Sequence, residues 1–386
     1  MTPGARVSAA IEVLDAIAGG LSAEQALTRW ARQSRFAGSK DRAAVRDHVF
    51  DVLRQRRTAA HFGRGETGRA LMIGMLHGQG GDLDVFFTGE GHAPTPLSAE
   101  ERDFPAAPED RATRLNLPDW LLPRIEAALG DKTDTAAKML QQRGPICLRV
   151  NLARTDVATV RQMLAEDLVE TESNPLADAA LTVTEGARKI RNSRAYTEGL
   201  VELQDAASQA VVADLPAGGR VLDYCAGGGG KALALAMDGT RSVTAHDIDP
   251  RRMSDLPPRA SRAGVEIATA DTAQVEVGSP YDLVLCDAPC SGSGAWRRAA
   301  EGKWTLTPAR LTELTKIQDR ILDDAARLVA PQGVLAYATC SLLREENEDR
   351  VAAFLARHPE WHLVREKRFD VTPEGDGFFA AQLTRE

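Results

Sequence analysis

Two cysteines close short apolar runs, one in Tyr281-Asp-Leu-Val-Leu-Cys-Asp-Ala-Pro-Cys290 and one in Gly333-Val-Leu-Ala-Tyr-Ala-Thr-Cys340. As a thiolate, cysteine attacks near neutral pH and can form a covalent intermediate that divides one hard step into easier ones. A second thiol at the same rim can serve the step that undoes the bond. Asp287, three residues ahead of Cys290, adds a carboxylate that can hydrogen-bond to charge developing on a substrate. An apolar run ending abruptly in a reactive group is the pattern of a buried parallel strand, and ligands of open α/β sheets bind beyond the carboxyl ends of such strands. If the two strands are neighbours, Cys290 and Cys340 face one pocket. Spacing alone does not say which of them attacks.

A second constellation is Arg220-Val-Leu-Asp-Tyr-Cys-Ala-Gly-Gly-Gly-Gly-Lys231-Ala-Leu-Ala, which reads as strand, glycine turn and helix. That order sets bare backbone N–H groups and a helix start beside the ligand. A phosphate-binding loop would need Gly at position 225 and Ser or Thr at 232, where the chain has Cys225 and Ala232. Gly227, Gly229 and Ala232 satisfy the dinucleotide spacing instead, and Asp247 follows at the end of the next strand, Ser242 to His246. NAD and S-adenosylmethionine both carry an adenosine whose ribose hydroxyls want that carboxylate, so the glycines fit either. Asp271, after Val265 to Ala270, is placed to accept from an adenine amino group or simply to cap a strand end. Lys231 either orients a substrate phosphate or cofactor or stays solvated at a helix start.

Strands alternating with helices from about residue 145 make this an α/β protein. Ahead of them, Val7, Ala10, Ile11, Leu14 and Ile17 mark one helix face, closed by Gly19-Gly20; Ser22 starts a second helix, and Asp41 to Arg57 forms a third with Val45, Val49, Val52 and Leu53 on one side. Arg42, Arg46, Arg54, Arg56 and Arg57 are expected on its wet side, as a phosphate-holding face or a plain solvated surface. Residues 1–85 thus form a helical domain, 86–112 a Gly/Pro-rich linker, 113–144 a helical connector, 145–200 a small βαβ-type module in which Arg149 and Asn151 reach substrate, and 201–386 the catalytic domain, with residues 201–214 helical. Trp296, Arg297, Arg298, Lys303 and Trp304 interleave aromatics with cations, as flipped or single-stranded bases require.

Charge is uneven: residues 1–69 carry 12 Lys/Arg against 7 Asp/Glu, and the rest carry 35 against 48. A protein that coats nucleic acid indiscriminately is excluded by the net charge of -8. No apolar run approaches the roughly 18 to 20 residues of a membrane span, and Met1 to Arg6 has no signal-peptide core, so a cytoplasmic protein free of membrane is expected. The 5 cysteines imply no disulfide framework and, lacking a nearby histidine, no metal site; Cys286 points into the sheet and Cys147 is packed. His246 and His358 are structural, Phe378-Phe379 opens a terminal antiparallel strand, and the chain is expected to be a monomer.

At these motifs the sequence resembles the Nol/Nop/Sun RNA cytosine-5 methyltransferases, in particular the RsmB-like branch that modifies small-subunit ribosomal RNA. The resemblance rests on Leu203 to Gln209, Leu222 to Lys231, Asp287 to Gly294, Lys303-Trp304, Tyr337 to Glu348 and Gly375 to Phe379, in family order over residues 145–386. It implies a class I methyltransferase fold with a seven-stranded, mostly parallel sheet, and a NusB-like RNA-binding domain at the N-terminus. Carried over, Cys225, Ala226, Gly227, Gly228, Gly229, Gly230 and Lys231 would wrap the methionine end of S-adenosylmethionine, Asp247 the ribose, Asp271 the adenine and Asp287 the junction with substrate. Cys340 would be the nucleophile and Cys290 the residue that helps release product. The implied partner is RNA, ribosomal or, as the alternative, transfer RNA. The family has Ala and Pro where Gly227 and Gly228 stand, and Pro where Arg344 stands. A floppier glycine turn motivates a rival reading, an RNA-binding ribosome-assembly factor with weak or lost catalysis. A third, an NAD-linked oxidoreductase, leaves both cysteines unexplained.

Overall fold

The computed structural model describes residues 1–237 and 239–385. They divide into two compact units, Met1–Arg143 with Trp296–Thr305, and Gly144–Ala295 with Leu306–Glu386.

The first unit is helical. Thr2 caps Pro3–Ala18 by accepting from the Ala5 N–H (3.2 Å), and Ser22 and Gln25 form a reciprocal capping box at the start of Ala23–Gln33. Ser39–Arg54 buries Val45, Val49, Val52 and Leu53 against Val7, Ala10 and Leu14, as the apolar spacing predicts. Residues 86–112 differ from the linker reading. Phe87 and Leu97 join the helical core and Arg69 pairs with Glu101 at 2.6 Å, so the polar composition hides two apolar anchors. The basic face differs too: Arg54 is buried, donating to the Arg297 carbonyl (2.7 Å) and to Asp51 (2.7 Å). Arg46 pairs with Glu24, Arg56 with Glu66, and Arg57 with Asp110 and Asp119, so this face is already largely neutralised.

Within the second unit the described strands form two sheets. The smaller contains β1 (Ile146–Val150), β2 (Glu170–Ser173), β3 (Ala180–Glu185) and β4 (Val201–Leu203) in the order β2-β3-β1-β4, and every pairing is antiparallel. It is therefore no parallel βαβ unit, although the helix Val157–Glu166 does connect β1 to β2. Val201–Leu203, expected as helix, is strand because Asp205 caps only from Ala206 onward, accepting from the Ala207 N–H at 2.9 Å. Arg149 and Asn151 are buried staples that join the small sheet to neighbouring backbone. Asn151 donates to the carbonyls of Gly199 (3.2 Å) and Ala263 (2.8 Å), and Arg149 to that of Gly230 (3.0 Å).

The larger sheet contains β5 (Gly219–Asp223), β6 (Arg241–Ala245), β7 (Ile267–Thr269), β8 (Tyr281–Asp287), β9 (Val329–Thr339), β10 (Trp361–Phe369) and β11 (Phe378–Arg385). Their order is β10-β11-β9-β8-β5-β6-β7, with β7, β6, β5, β8 and β9 parallel and β11 antiparallel to both neighbours. This is the class I methyltransferase arrangement. The order reverses between β5 and β8, where open α/β sheets hold ligands. Leu222, Val284, Cys286 and Tyr337 fill one face and Val221, Leu283, Leu285 and Ala336 the other, which explains why these strands read as continuous apolar runs. No helix among the described residues is long and apolar enough to cross a membrane.

Candidate active site

β8 and β9 are paired in parallel register, Cys286 beside Tyr337 and Asp287 beside Ala338, and the Ala288 N–H donates to the Ala338 carbonyl at 2.9 Å. The two chains therefore leave the sheet side by side. Three residues past β8 stands Cys290; one past β9 stands Cys340. Their sulfurs lie 3.5 Å apart, within hydrogen-bond reach. Cys290 is pushed well above the usual thiol range, first by its hydrogen bond with Cys340, then by burial and the charges of Cys340 and Glu346. Cys286, fully buried inside the sheet, is raised by desolvation and is chemically inert.

Both reactive thiols open into a cavity of about 680 Å³ at the β5/β8 switch point, which is also lined by Cys225, Ala226, Gly227, Gly228, Gly230 and Lys231. The turn from β5 needs its glycines: Gly227 and Gly229 have φ of 52° and 79°, and a Cβ on Gly229 would fall 2.4 Å from the Leu256 side chain. Asp247, after β6, accepts from the Gly227 N–H (2.9 Å) and pairs with Arg252 (2.9 Å). Lys231 is not solvated. It is only 7% exposed and bonds Asp287 at 2.8 Å; burial opposes its charge, but the Asp287 carboxylate outweighs burial and Cys340 adds to it, holding the ammonium above the usual lysine range.

Asp271 is not brought to this cavity. It lies exposed at the start of the helix Thr272–Gly278, where it forms a capping box with Gln274 at 2.9 Å each way, the strand-end role that sequence left open. Nor do the aromatic and cationic residues after Cys290 line it. Trp296, Arg297 and Lys303 are 1% exposed, and Lys303 donates to the Arg54 carbonyl (2.7 Å) and Trp304 to that of Leu53 (2.6 Å), inside the helical unit. Alternation of cations and tryptophans mimics a base-stacking patch although Trp296, Arg297 and Lys303 are buried and Lys303 is held by a backbone carbonyl. His246 shapes the wall, stacking on Tyr224 while its ring nitrogens meet the Tyr224 carbonyl (2.8 Å) and Thr272 (3.0 Å).

Sequence reasoning missed Glu346. Fully buried, it accepts from the Ser291 N–H (2.8 Å), the Ser291 and Ser341 hydroxyls (2.5 Å each) and Gln318 (3.1 Å), binding together the residues that follow each cysteine. Asn347 completes the frame by accepting from Thr339 (2.6 Å) and donating to the Ser341 carbonyl (2.8 Å). The signal was present as Glu345-Glu346-Asn347 a few residues after Thr339-Cys340-Ser341.

Comparison with known proteins fits this geometry. Residues 210–384 match the family described as 16S rRNA methyltransferase RsmB/F, and residues 117–189 match the ferredoxin-like domain of RsmF/B-like methyltransferases. The chain belongs to the RsmB/F branch of the Nol/Nop/Sun family. It is similar to ribosomal RNA small subunit methyltransferase B of Yersinia pseudotuberculosis, 32% identical over 285 residues that take in 69% of this chain and 66% of that relative. The crystal structure of PH0851 shares its fold with a TM-score of 0.78 at 24% identity over 100% of this chain and 99% of that one. A methyltransferase homolog from Pyrococcus horikoshii shares it with a TM-score of 0.62 at 24% identity, over 75% of this chain and 100% of the homolog.

The family's cofactor is S-adenosylmethionine, and the residues of this RsmB/F chain fit it. Neither oxygen of the buried Asp223 carboxyl meets a donor at full hydrogen-bond geometry, the glycine turn leaves backbone uncovered, and the Asp247 carboxylate suits a ribose diol. Among the described residues no group of His, Cys, Asp and Glu could hold a metal ion.

Proposed function

We propose that this protein methylates carbon 5 of a cytosine in small-subunit ribosomal RNA, through a covalent bond from Cys340 to carbon 6. The observation that carries the reading is the pair of sulfurs 3.5 Å apart at the ends of adjoining parallel strands, in the same cavity as the glycine turn. The name of the Yersinia relative supports the substrate class.

In this reading the glycine turn, Asp247 and Asp287 hold S-adenosylmethionine, which supplies an electrophilic methyl group for carbon 5. Cytosine carbon 5 is too electron-poor to take it unaided. Cys340 Sγ adds as a thiolate to carbon 6, and the electron pair of the 5,6 double bond moves toward carbon 5 and the ring. Asp287, fixed by Lys231, accepts from the exocyclic amine and so orients the ring, while the Lys231 ammonium beside it offsets the negative charge that shifts toward the ring nitrogen. After methylation a water held by Cys290 takes the carbon 5 proton. The double bond re-forms and Cys340 leaves as a thiolate.

Replacing Cys340 with alanine is expected to cut methyl incorporation into small-subunit RNA by about 10³-fold or more. Cys290→Ala is expected to permit attack and leave protein covalently bound to RNA on denaturing gels. Opposite behaviour of the two variants reverses the roles, and incorporation into transfer RNA alone overturns the substrate.

A further inference from the structure

Glu346 is a carboxylate buried without water contact, a costly placement unless its hydrogen bonds are numerous and its charge is used. Its donors are neutral: the Ser291 N–H, the Ser291 and Ser341 hydroxyls, and the Gln318 amide. Ser291 directly follows Cys290, and Ser341 directly follows Cys340. One carboxylate therefore spans the two loops that carry the sulfurs, and Tyr337 ties its backbone to β9 by donating to the Glu346 carbonyl at 2.6 Å.

We propose that Glu346 is a positioning residue for the thiol pair, setting the two cysteine loops against each other and keeping the pair's proton on Cys290. A fixed negative charge disfavours a second one beside it, so a thiol next to it keeps its proton and can donate to the neighbouring sulfur. Glu346 is among the causes that raise Cys290. Other ionisable groups around the pair include Tyr337 on β9 with Cys286 and Arg350 near it, the Lys231–Asp287 pair across the cavity, Cys225, His246, Asp247 and Arg252 on the cavity wall, and Arg320 and Asp324 on the helix Pro308–Ala326. This deepens the covalent reading by giving the attacking Cys340 a proton-bearing neighbour at 3.5 Å.

The purpose rests on that reading, but the test does not. Alkylation of the RNA-free, cofactor-free full chain by iodoacetamide, followed peptide by peptide against pH, reports each thiol separately. In Cys340→Ala, with Glu346 intact, Cys290 should react with a midpoint above the ordinary cysteine range; a midpoint at or below it overturns the proposal. Adding Glu346→Gln should lower that midpoint by about one pH unit, raising Cys290 reactivity about tenfold at fixed pH. An unchanged midpoint in a folded double variant overturns it. If E346Q does not fold, Glu346→Asp in the Cys340→Ala background takes its place, and a Cys290 midpoint that does not move when the shorter carboxylate withdraws overturns the proposal. A normal thiol titration alongside intact methylation through Cys340 sinks this inference alone; loss of the covalent adduct with an altered titration sinks the cytosine reading alone.

Discussion

Asp223 ends β5 one residue before the glycine turn, and its carboxyl group is raised to about 7, by burial first and the Asp287 carboxylate second, with Lys231 opposing. An acid raised in the folded state keeps its proton where the unfolded chain has lost it. Between about pH 4 and pH 7 the folded protein therefore binds more protons, and the stability it draws from this group falls as pH rises through that window. Asp223→Asn removes the dependence. Thermal or urea melts should show the variant gaining about 2 kcal/mol on the wild type between pH 5 and pH 8. A gap that stays constant would mean the carboxyl ionises normally. At this scale the sequence shows reactive groups but not their partners. Cys290, Cys340 and Asp287 are legible because strand-end chemistry is local, whereas the burial of Lys231, the capping role of Asp271 and the frame around Glu346 depend on residues 3 to 56 positions away.

The glycine turn belongs to the scale of elements. Two glycines stand where the resemblance implies Ala and Pro, and their backbone conformation matters as well as their stiffness. Gly227 sits at φ 52°, a left-handed region that an alanine enters only at a cost of about 1–2 kcal/mol and that a residue before proline avoids. A Cβ there would also approach the Arg252 guanidinium at 3.2 Å, and that arginine pairs with Asp247. Gly227→Ala, although it restores the family's residue, should weaken S-adenosylmethionine binding about five- to tenfold by calorimetry. Equal or tighter binding would show that the turn rearranges on loading. β8 and β9 are readable because burial on both faces writes an apolar run into each. β4 is not, because Val201–Leu203 is short and only Gln204 and Asp205 separate it from the helix that Asp205 caps. The antiparallel pairing of the small sheet is likewise invisible, since β1 meets β3 and β4 through register rather than composition.

Across the whole molecule, the chain's division into units does not follow its sequence order. Trp296–Thr305, lying between the Cys290 loop and the helix Pro308–Ala326, belongs with the N-terminal helices, where Glu301 accepts from the Ala23 N–H at 3.1 Å and Ala300 joins the core. A reading by composition assigns that stretch to RNA because nothing local marks a segment that packs against residues more than 240 positions away. What the sequence does carry at this scale is the convergence of two distant thiols with one glycine turn, and the proposed activity depends on it. The most direct test is to incubate the full chain and S-adenosylmethionine with small-subunit RNA carrying 5-fluorocytidine, whose carbon 5 has no proton to lose, and to map the trapped nucleotide by peptide mass. The account predicts a nucleotide joined to Cys340. A nucleotide on Cys290, or no covalent product, would contradict it.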